Sequence, residues 1–416
     1  MALDTSTSLA NFFKTKFRHE LGSDLAKAGK LAMDIDREAR TIEVGGTSLN
    51  TTWTNISAEG VGSGALSDGG DYPTPLAQTP LQYSLGLAHL AFAVGFTGHT
   101  EAMGSDEDAS WIGGVAKYLS KRLKEYAKIT WARFLINDGT PNWGLTTSAA
   151  VGTTNGYFSV DFPVEFVRKG EVLTVRDAAT SGTETISNGT VVDIDHINSR
   201  IYCSNVTGVG SGEYVSLSGF YNSTVPNGIQ KIVGNTGSIQ GQTRTTVGNF
   251  MTKAIVLTST GLPVTATSVD ELRDTVETQA AVRSEYRTKW YAPQSYRRWA
   301  MIASQGLVRF TGTSDIQLGA ASVNVADSDG YKEINEDPYI DSGTIYAIAP
   351  KKLVKAYPKG MKGGYPIMNG SSVLFRSNAG SGAGHADSQR MYWVMRCNLG
   401  SDEFRCHGKD TGRVSP

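Results

Sequence analysis

The chain has 416 residues, enough for two or three domains at roughly 150 residues each. Its 39 basic and 40 acidic residues leave a net charge of −1, with only 19% of positions charged, which excludes a bulk-basic nucleic-acid binder and a highly charged disordered chain. The 47 glycines follow no triplet period, which excludes a collagenous chain, while a 39% hydrophobic share can bury a core and near-neutrality leaves little repulsion between copies.

Residues 1–40 read as an arm. Phe12, Phe13 and Phe17 stand among Lys14, Lys16 and Arg18, ahead of a short helical pattern at Leu21, Leu25 and Ala28. Such an arm either packs as a surface helix or reaches a neighbouring subunit. The first 17 residues lack the apolar run of a signal peptide. The longest apolar stretch, residues 85–96, is short of the about twenty that a membrane helix needs. Three sparse cysteines, Cys203, Cys397 and Cys406, fit a reducing compartment. A soluble intracellular chain without membrane contact is expected.

Residues 41–105 contain no lysine and no arginine, and glycine, threonine and proline cluster from Gly60 to Pro80. A loop of that length without its own core is uncommon unless functional. Residues 81–100 then have the apolar density and bounding glycines of strand. The pattern predicts an extended hairpin whose backbone is satisfied by other chains; a disordered loop is the alternative. Its candidate contact residues are Gly60, Gly62, Gly64, Asp68, Gly69, Gly70 and Asp71.

Residues 106–137 predict the longest helix. Ser105 with Asp108 resembles a capping box, and Asp106, Glu107 and Asp108 suit the positive end of a helix dipole. Ile112, Val115, Leu119, Leu123, Tyr126, Thr130 and Phe134 form one stripe at helical spacing. Lys117, Lys121, Lys124 and Lys128 fall near the opposite side. That row is either a solvated face or a line of cations for phosphate contact without sequence readout. Asn137-Asp-Gly-Thr-Pro ends the helix.

Over residues 155–225 the period changes to two. Strands are predicted at Phe162-Pro-Val-Glu-Phe-Val, Glu171-Val-Leu-Thr-Val-Arg, Val191-Val-Asp-Ile-Asp-His, Arg200-Ile-Tyr-Cys and Glu213-Tyr-Val-Ser-Leu, with turns at Asn188-Gly189 and Ile197-Asn-Ser. Short strands at this spacing suggest a small barrel or sandwich. Residues 226–416 mix helix and strand. Ser268 and Glu271 suggest a capping box opening a helix through Leu272, Val276 and Ala280. Tyr291-Ala-Pro and Gly343-Thr-Ile-Tyr-Ala-Ile-Ala-Pro read as strand ends, residues 350–358 as a short helix, and Met391-Tyr-Trp-Val-Met-Arg-Cys as a buried or interface strand. Lys351, Lys352, Lys355, Lys359 and Lys362 concentrate positive charge there.

Catalytic signatures are missing. His19, His89, His99, His196, His385 and His407 are scattered without ligand spacing, and there is no nucleophile elbow or phosphate loop. Asp193 and Asp195 share a strand face but read as solvated edge charges. The expectation is a non-enzyme with no metal and no cofactor.

The order of parts resembles the major capsid proteins of tailed bacteriophages, the HK97-fold family. Gly228-Ile-Gln-Lys-Ile-Val-Gly followed by Ile239-Gln-Gly-Gln-Thr-Arg is similar to a recurrent stretch of such capsids. Asp108-Ala-Ser-Trp-Ile resembles the opening of the family's spine helix, and Asp337-Pro-Tyr-Ile with Gly343-Thr-Ile-Tyr-Ala-Ile its late strands. The resemblance implies an α+β, HK97-like capsid fold. Its parts would be an N-terminal arm over 1–40, an extended E-loop over 41–105, a P-domain with the spine helix over 106–154, an inserted β-barrel or sandwich over 155–225, and an A-domain with returning P-domain strands over 226–416. It further implies an icosahedral virion shell of homo-pentamers and homo-hexamers, assembled in the host cytoplasm around double-stranded DNA. Implied partners are a portal protein, a separate scaffolding protein because the arm is too short to contain one, and a decoration protein. A lysine-to-asparagine weld from the E-loop is excluded, because 41–105 has no lysine. An encapsulin-like compartment and a β-rich carbohydrate-binding adhesin or tail component are the competing readings.

Overall fold

A computed structural model describes residues 29–44, 50–58, 74, 79–97, 123, 125–179, 182–220, 225–245, 250–265, 267–280, 288–305, 323–327, 330–359, 375–378 and 385–416. Strands and helices are numbered in chain order. Among the described residues the fold is α+β, with three larger sheets, two small hairpins and few helices.

The first sheet contains β1 (Arg40–Val44), β4 (Ala88–Thr97), β18 (Leu353–Pro358), β19 (Phe375–Asn378) and β20 (His385–Ser401). β20 is its backbone: β4 and β19 run antiparallel along its first part and β18 along its last residues, while β1 adds in parallel to β18. Alternation sorts the faces. Leu90, Phe92, Met395, Cys397 and Leu399 are buried, whereas His89, Ala91 and Arg396 are exposed. The buried face shares one core with the long helix α2, whose described turns cover 125–136. The predicted stripe residues Leu123, Thr130 and Phe134 are buried there, but so are Ile129, Trp131, Ala132, Arg133, Leu135 and Ile136. The last turns of α2 are therefore enclosed on every side rather than two-faced. Residues 105–122 of the predicted helix lie outside the described residues.

The second sheet is ordered β5-β10-β7-β8-β9-β6. Its strands are β5 (Asn142–Leu145), β6 (Thr154–Ser159), β7 (Val172–Arg176), β8 (Glu184–Asp195), β9 (Arg200–Asn205) and β10 (Tyr214–Leu217). The bridge Thr146↔Val160 and bonds from the Asp161 N–H to the Leu145 carbonyl and from the Thr147 N–H to the Ser159 carbonyl join the two edge strands, so the sheet closes into a small barrel. Phe158, Leu173, Val175, Val191, Ile201, Cys203 and Val215 fill it. The predicted strand at 162–167 is instead a 3-10 turn, Val164–Phe166, because Pro163 offers no N–H to a ladder. The chain leaves for the barrel at Gly139 and returns at Asn227, and the two lie so close that a Cβ added to Gly139 would come within 3.4 Å of Asn227.

The third sheet is ordered β13-β21-β17-β14-β16-β15. It comprises β13 (Ile255–Thr258), β14 (Lys289–Ala292), β15 (Val323–Asp327), β16 (Gly330–Glu336), β17 (Ile345–Ile348) and β21 (Gly408–Thr411). Helices α4 (Ser268–Ala280) and α5 (Gln294–Gln305) join its core through Leu272, Val276, Tyr296 and Ala300. The start of α4 differs from the predicted capping box. Ser268 Oγ accepts from the Thr265 N–H at 2.7 Å, and Glu271 pairs with Arg413 at 3.0 Å.

Helix α1 (Lys30–Glu38) lies within the span read as an arm, yet it is fixed to the body. Leu31, Ala32 and Ile35 are buried. Asp36 meets Lys355 of the first sheet at 2.5 Å, while Asp34 accepts from Tyr291 Oη at 2.8 Å and Glu38 meets Lys289 at 2.5 Å, both on the third sheet. α1 is thus a strut between two sheets. Residues 350–358 form a 3-10 turn and β18 rather than a helix. Nor do their lysines pool charge: Lys355 is neutralised by Asp36 and Lys352 by Glu403 at 2.9 Å, leaving Lys351 and Lys359 exposed, with Lys362 outside the described residues.

Candidate functional site at the root of the long hairpin

The cation-free region contains an antiparallel hairpin, β2 (Asn50–Ala58) with β3 (Thr79–Gly86), in register from Asn50↔Gly86 to Ala58↔Thr79. The stretch given strand character over 81–100 divides at Leu87: β3 belongs to the hairpin and β4 to the first sheet. β3 alternates buried Tyr83 and Leu85 with less buried Gln82 and Ser84. The hairpin therefore leans one face on the body at its root. Trp53 packs at a tilt against Tyr83, 5.7 Å between ring centroids, and Tyr83 likewise against Phe404 at 5.9 Å. Burial, reinforced by Asp402, pushes the Tyr83 hydroxyl up to about 12.

The other attachment is polar. A minimal hairpin, β11 (Ser238–Ile239) and β12 (Gln242–Thr243), turns through Gln240 and Gly241 with φ of 50° and 78°. Two positive φ values make a type I′ turn, which suits glycine at its second centre. The Ser84 N–H donates to the Gln240 carbonyl at 2.9 Å, and Gln242 Nε2 donates to the Gln82 carbonyl at 2.6 Å. Asn398 adds a bond from Nδ2 to the Gly86 carbonyl, and its Oδ1 accepts from the Asn227 N–H at 2.7 Å.

Behind the turn, Arg244 is buried and spreads its guanidinium over three carbonyls. Nε donates to Thr252 at 3.0 Å, Nη1 to Lys231 at 2.7 Å and Nη2 to Ile232 at 2.7 Å. The last two belong to the end of helix α3 (Ile229–Ile232), where carbonyls lack helical partners and the dipole favours a cation. Phe404 lies 5.3 Å from the guanidinium. Burial lowers this arginine to about 10. Gly228 starts α3 so close to α2 that an added Cβ would collide with the Asn137 and Phe134 carbonyl oxygens. The two halves of the Gly228…Arg244 stretch thus meet in space and join the hairpin to the end of the long helix.

Beside the root lies a cleft of ≈ 340 Å³ lined by Arg40, Trp53, Thr54, Met251, Lys352, Asp402 and Glu403. Its charges are matched, Arg40 to Asp402 at 3.2 Å and Lys352 to Glu403 at 2.9 Å. Beneath it, Ser401 Oγ lies 3.0 Å from His407 Nε2. This pair resembles a nucleophile and base only by type. His407 Nδ1 accepts from the Ala349 N–H, so Nε2 carries the proton and donates to the serine, and both residues are fully buried. Burial lowers His407 to about 3, which keeps it neutral.

The hairpin-tip residues Gly60, Gly62, Gly64, Asp68, Gly69, Gly70 and Asp71 lie outside the described residues, as do Phe12, Phe13, Phe17, Lys117, Lys121 and Lys124. Lys128 is exposed on α2. Gln240 and Gln242 stand in the quoted Ile239–Arg244 stretch but, like Asn227 and Asn398, were given no site role; Gly241 supplied the turn signal.

No family model and no curated protein sequence matches the chain. Solved structures do. A chain of the cyanophage A-1(L) capsid asymmetric unit is similar with a TM-score of 0.51 and 13% identity, over 97% of this chain and 99% of that one. The capsid of a native GTA particle is similar over 92% and 91% of the two chains, with 11% identity and a TM-score of 0.48. The chain shares the fold of the cyanophage capsid subunit.

Proposed function

We propose that this chain is the major shell protein of a tailed bacteriophage, self-assembling into pentamers and hexamers of an icosahedral capsid around double-stranded DNA. The observation that carries the reading is the fold shared from end to end with a cyanophage capsid chain. On this reading the protein resides in the virion and its activity is assembly, not catalysis. Residues 1–40 serve as the arm, 41–105 as the loop lapping a neighbour, 106–154 and the first sheet as the P-domain, and the third sheet within 226–416 as the A-domain. The barrel is an insertion; its adjoining entry and exit at Gly139 and Asn227 support this, because such a module adds no strain to its host. A portal protein, a separate scaffolding protein, a decoration protein and phosphate contact with DNA complete the proposal.

Sedimentation velocity and negative-stain imaging of the expressed protein test it. Capsomers or large closed particles are expected. A stable monomer at all concentrations would overturn it.

A further inference from the structure

We propose that the Gln240–Gly241 turn, held by Arg244, sets the direction in which the β2–β3 hairpin leaves the body, so that Arg244 is a positioning residue for subunit contact. The inference rests on reading the hairpin as an element that reaches a neighbouring copy.

Three observations carry it. First, among the described residues the hairpin's hydrogen bonds to the body lie at its root. Its partners across the body are Gln240, Gln242 and Asn398, and all bond Gln82, Ser84 or Gly86 at the β3 end. A two-stranded hairpin is marginal by itself, so its orientation is inherited from whatever grips that end. Second, the turn supplies both a backbone acceptor and a side-chain donor to one edge of β3, acting as a stub of third strand. Third, the turn cannot drift, because Arg244 follows it directly and is anchored at three atoms to the end of α3 and to Thr252. Among the described residues its hydrogen-bond partners are carbonyls arranged around a planar fork. A lysine would satisfy one of those directions and leave the others open. The same arginine faces Phe404, against which Tyr83 of the hairpin packs, so the polar and aromatic attachments converge on one side chain.

Two variants test the proposal in the full chain. Gln242→Ala removes one hairpin bond without touching the core, and Arg244→Lys retains charge but not the fork. Amide exchange at Ser84 is expected to quicken about tenfold in Q242A and more in R244K, while exchange in the barrel strands stays as in the parent. Particles from either variant are expected to be irregular in diameter or absent, with the Q242A subunit melting at the parental temperature. Parental exchange at Ser84 in both variants would overturn the proposal, as would quickened exchange with particles of parental size. Failure of the unmodified chain to form any particle would instead overturn the assembly reading, a result distinguishable because it precedes the variants.

Discussion

Asp337 is the residue whose environment makes the sharpest solution prediction. Its buried carboxylate accepts from the Leu31 N–H at 3.0 Å and the Tyr339 N–H at 3.1 Å, placing a negative charge at the N-terminus of α1. Burial outweighs both bonds and, with Glu336 nearby, raises the carboxyl to about 6 from the usual 3.8. A folded value above the unfolded one means that the native state takes up a proton more readily. This group therefore weakens the fold above pH 6, and its contribution improves as pH falls from about 7 towards 4, by a few kcal/mol at most. Asp337→Asn removes the titration. Plotted against pH, the difference in urea midpoint between parent and D337N should shift in the parent's favour on acidification; parallel curves would acquit Asp337. Arg133 and Glu171 pose the opposite case, a buried pair at 2.7 Å linking α2 to the barrel, with Glu171 also accepting from the Arg168 N–H at 2.9 Å. Glu171→Ala strands a buried cation, so chemical denaturation should show a loss of about 3–5 kcal/mol, largely recovered when Arg133 is replaced by methionine as well. A loss below 1 kcal/mol in the single variant would mean that water reaches the arginine.

Elements divide by what they do with their apolar residues. The hairpin has a body-facing root, Tyr83 and Leu85, and a glycine-rich tip region with little that a core could use. Deleting 60–70 should leave the subunit's thermal midpoint unchanged while assembled particles lose heat resistance; particles as heat-resistant as the parent would remove the tip from subunit contact. The same distinction explains what could be read in the sequence. β8 and β9 were legible because one face meets the barrel core and the other is more exposed, so residues alternate. β7 and β10 are buried on both faces but keep Thr174 and Ser216 between apolar neighbours, which preserves the period in sequence. β18 was not, because Leu353 to Tyr357 are all buried between β1 and β20, and a strand enclosed on both faces loses its period. Its lysines at 351, 355 and 359 then mimicked a helical row. Pro163 hid a turn inside a period-two run. α1 escaped notice because three of its acidic residues face partners more than 200 positions away, which no local pattern records. At the site, Arg244 stood in a quoted stretch, but its partners are main-chain carbonyls, and those have no side-chain signature.

For the whole molecule, a net charge of −1 conceals segregation. Barrel residues 142–217 carry eight acidic and four basic residues, so the rest of the chain has a surplus of three positive charges. A barrel of that sign would be repelled by nucleic acid, which fits a module on the outer side of a shell. The complementary expectation concerns Lys117, Lys121, Lys124 and Lys128, spaced at helical intervals, with Lys128 exposed on α2. Phosphate contact and a merely solvated face differ in one measurable quantity. Each lysine that neutralises a phosphate releases condensed counterions, so the slope of log affinity for duplex DNA against log salt should become shallower by about 0.9 per contacting lysine replaced. Replacing all four with glutamine, measured on capsomers, should reduce that slope by about 3 to 4 and leave the thermal midpoint alone. Filled particles of the variant should also release their genome at lower temperature, since fewer fixed cations offset the repulsion among packed phosphates. An unchanged salt slope would place the row against solvent or another subunit, whatever the particles look like.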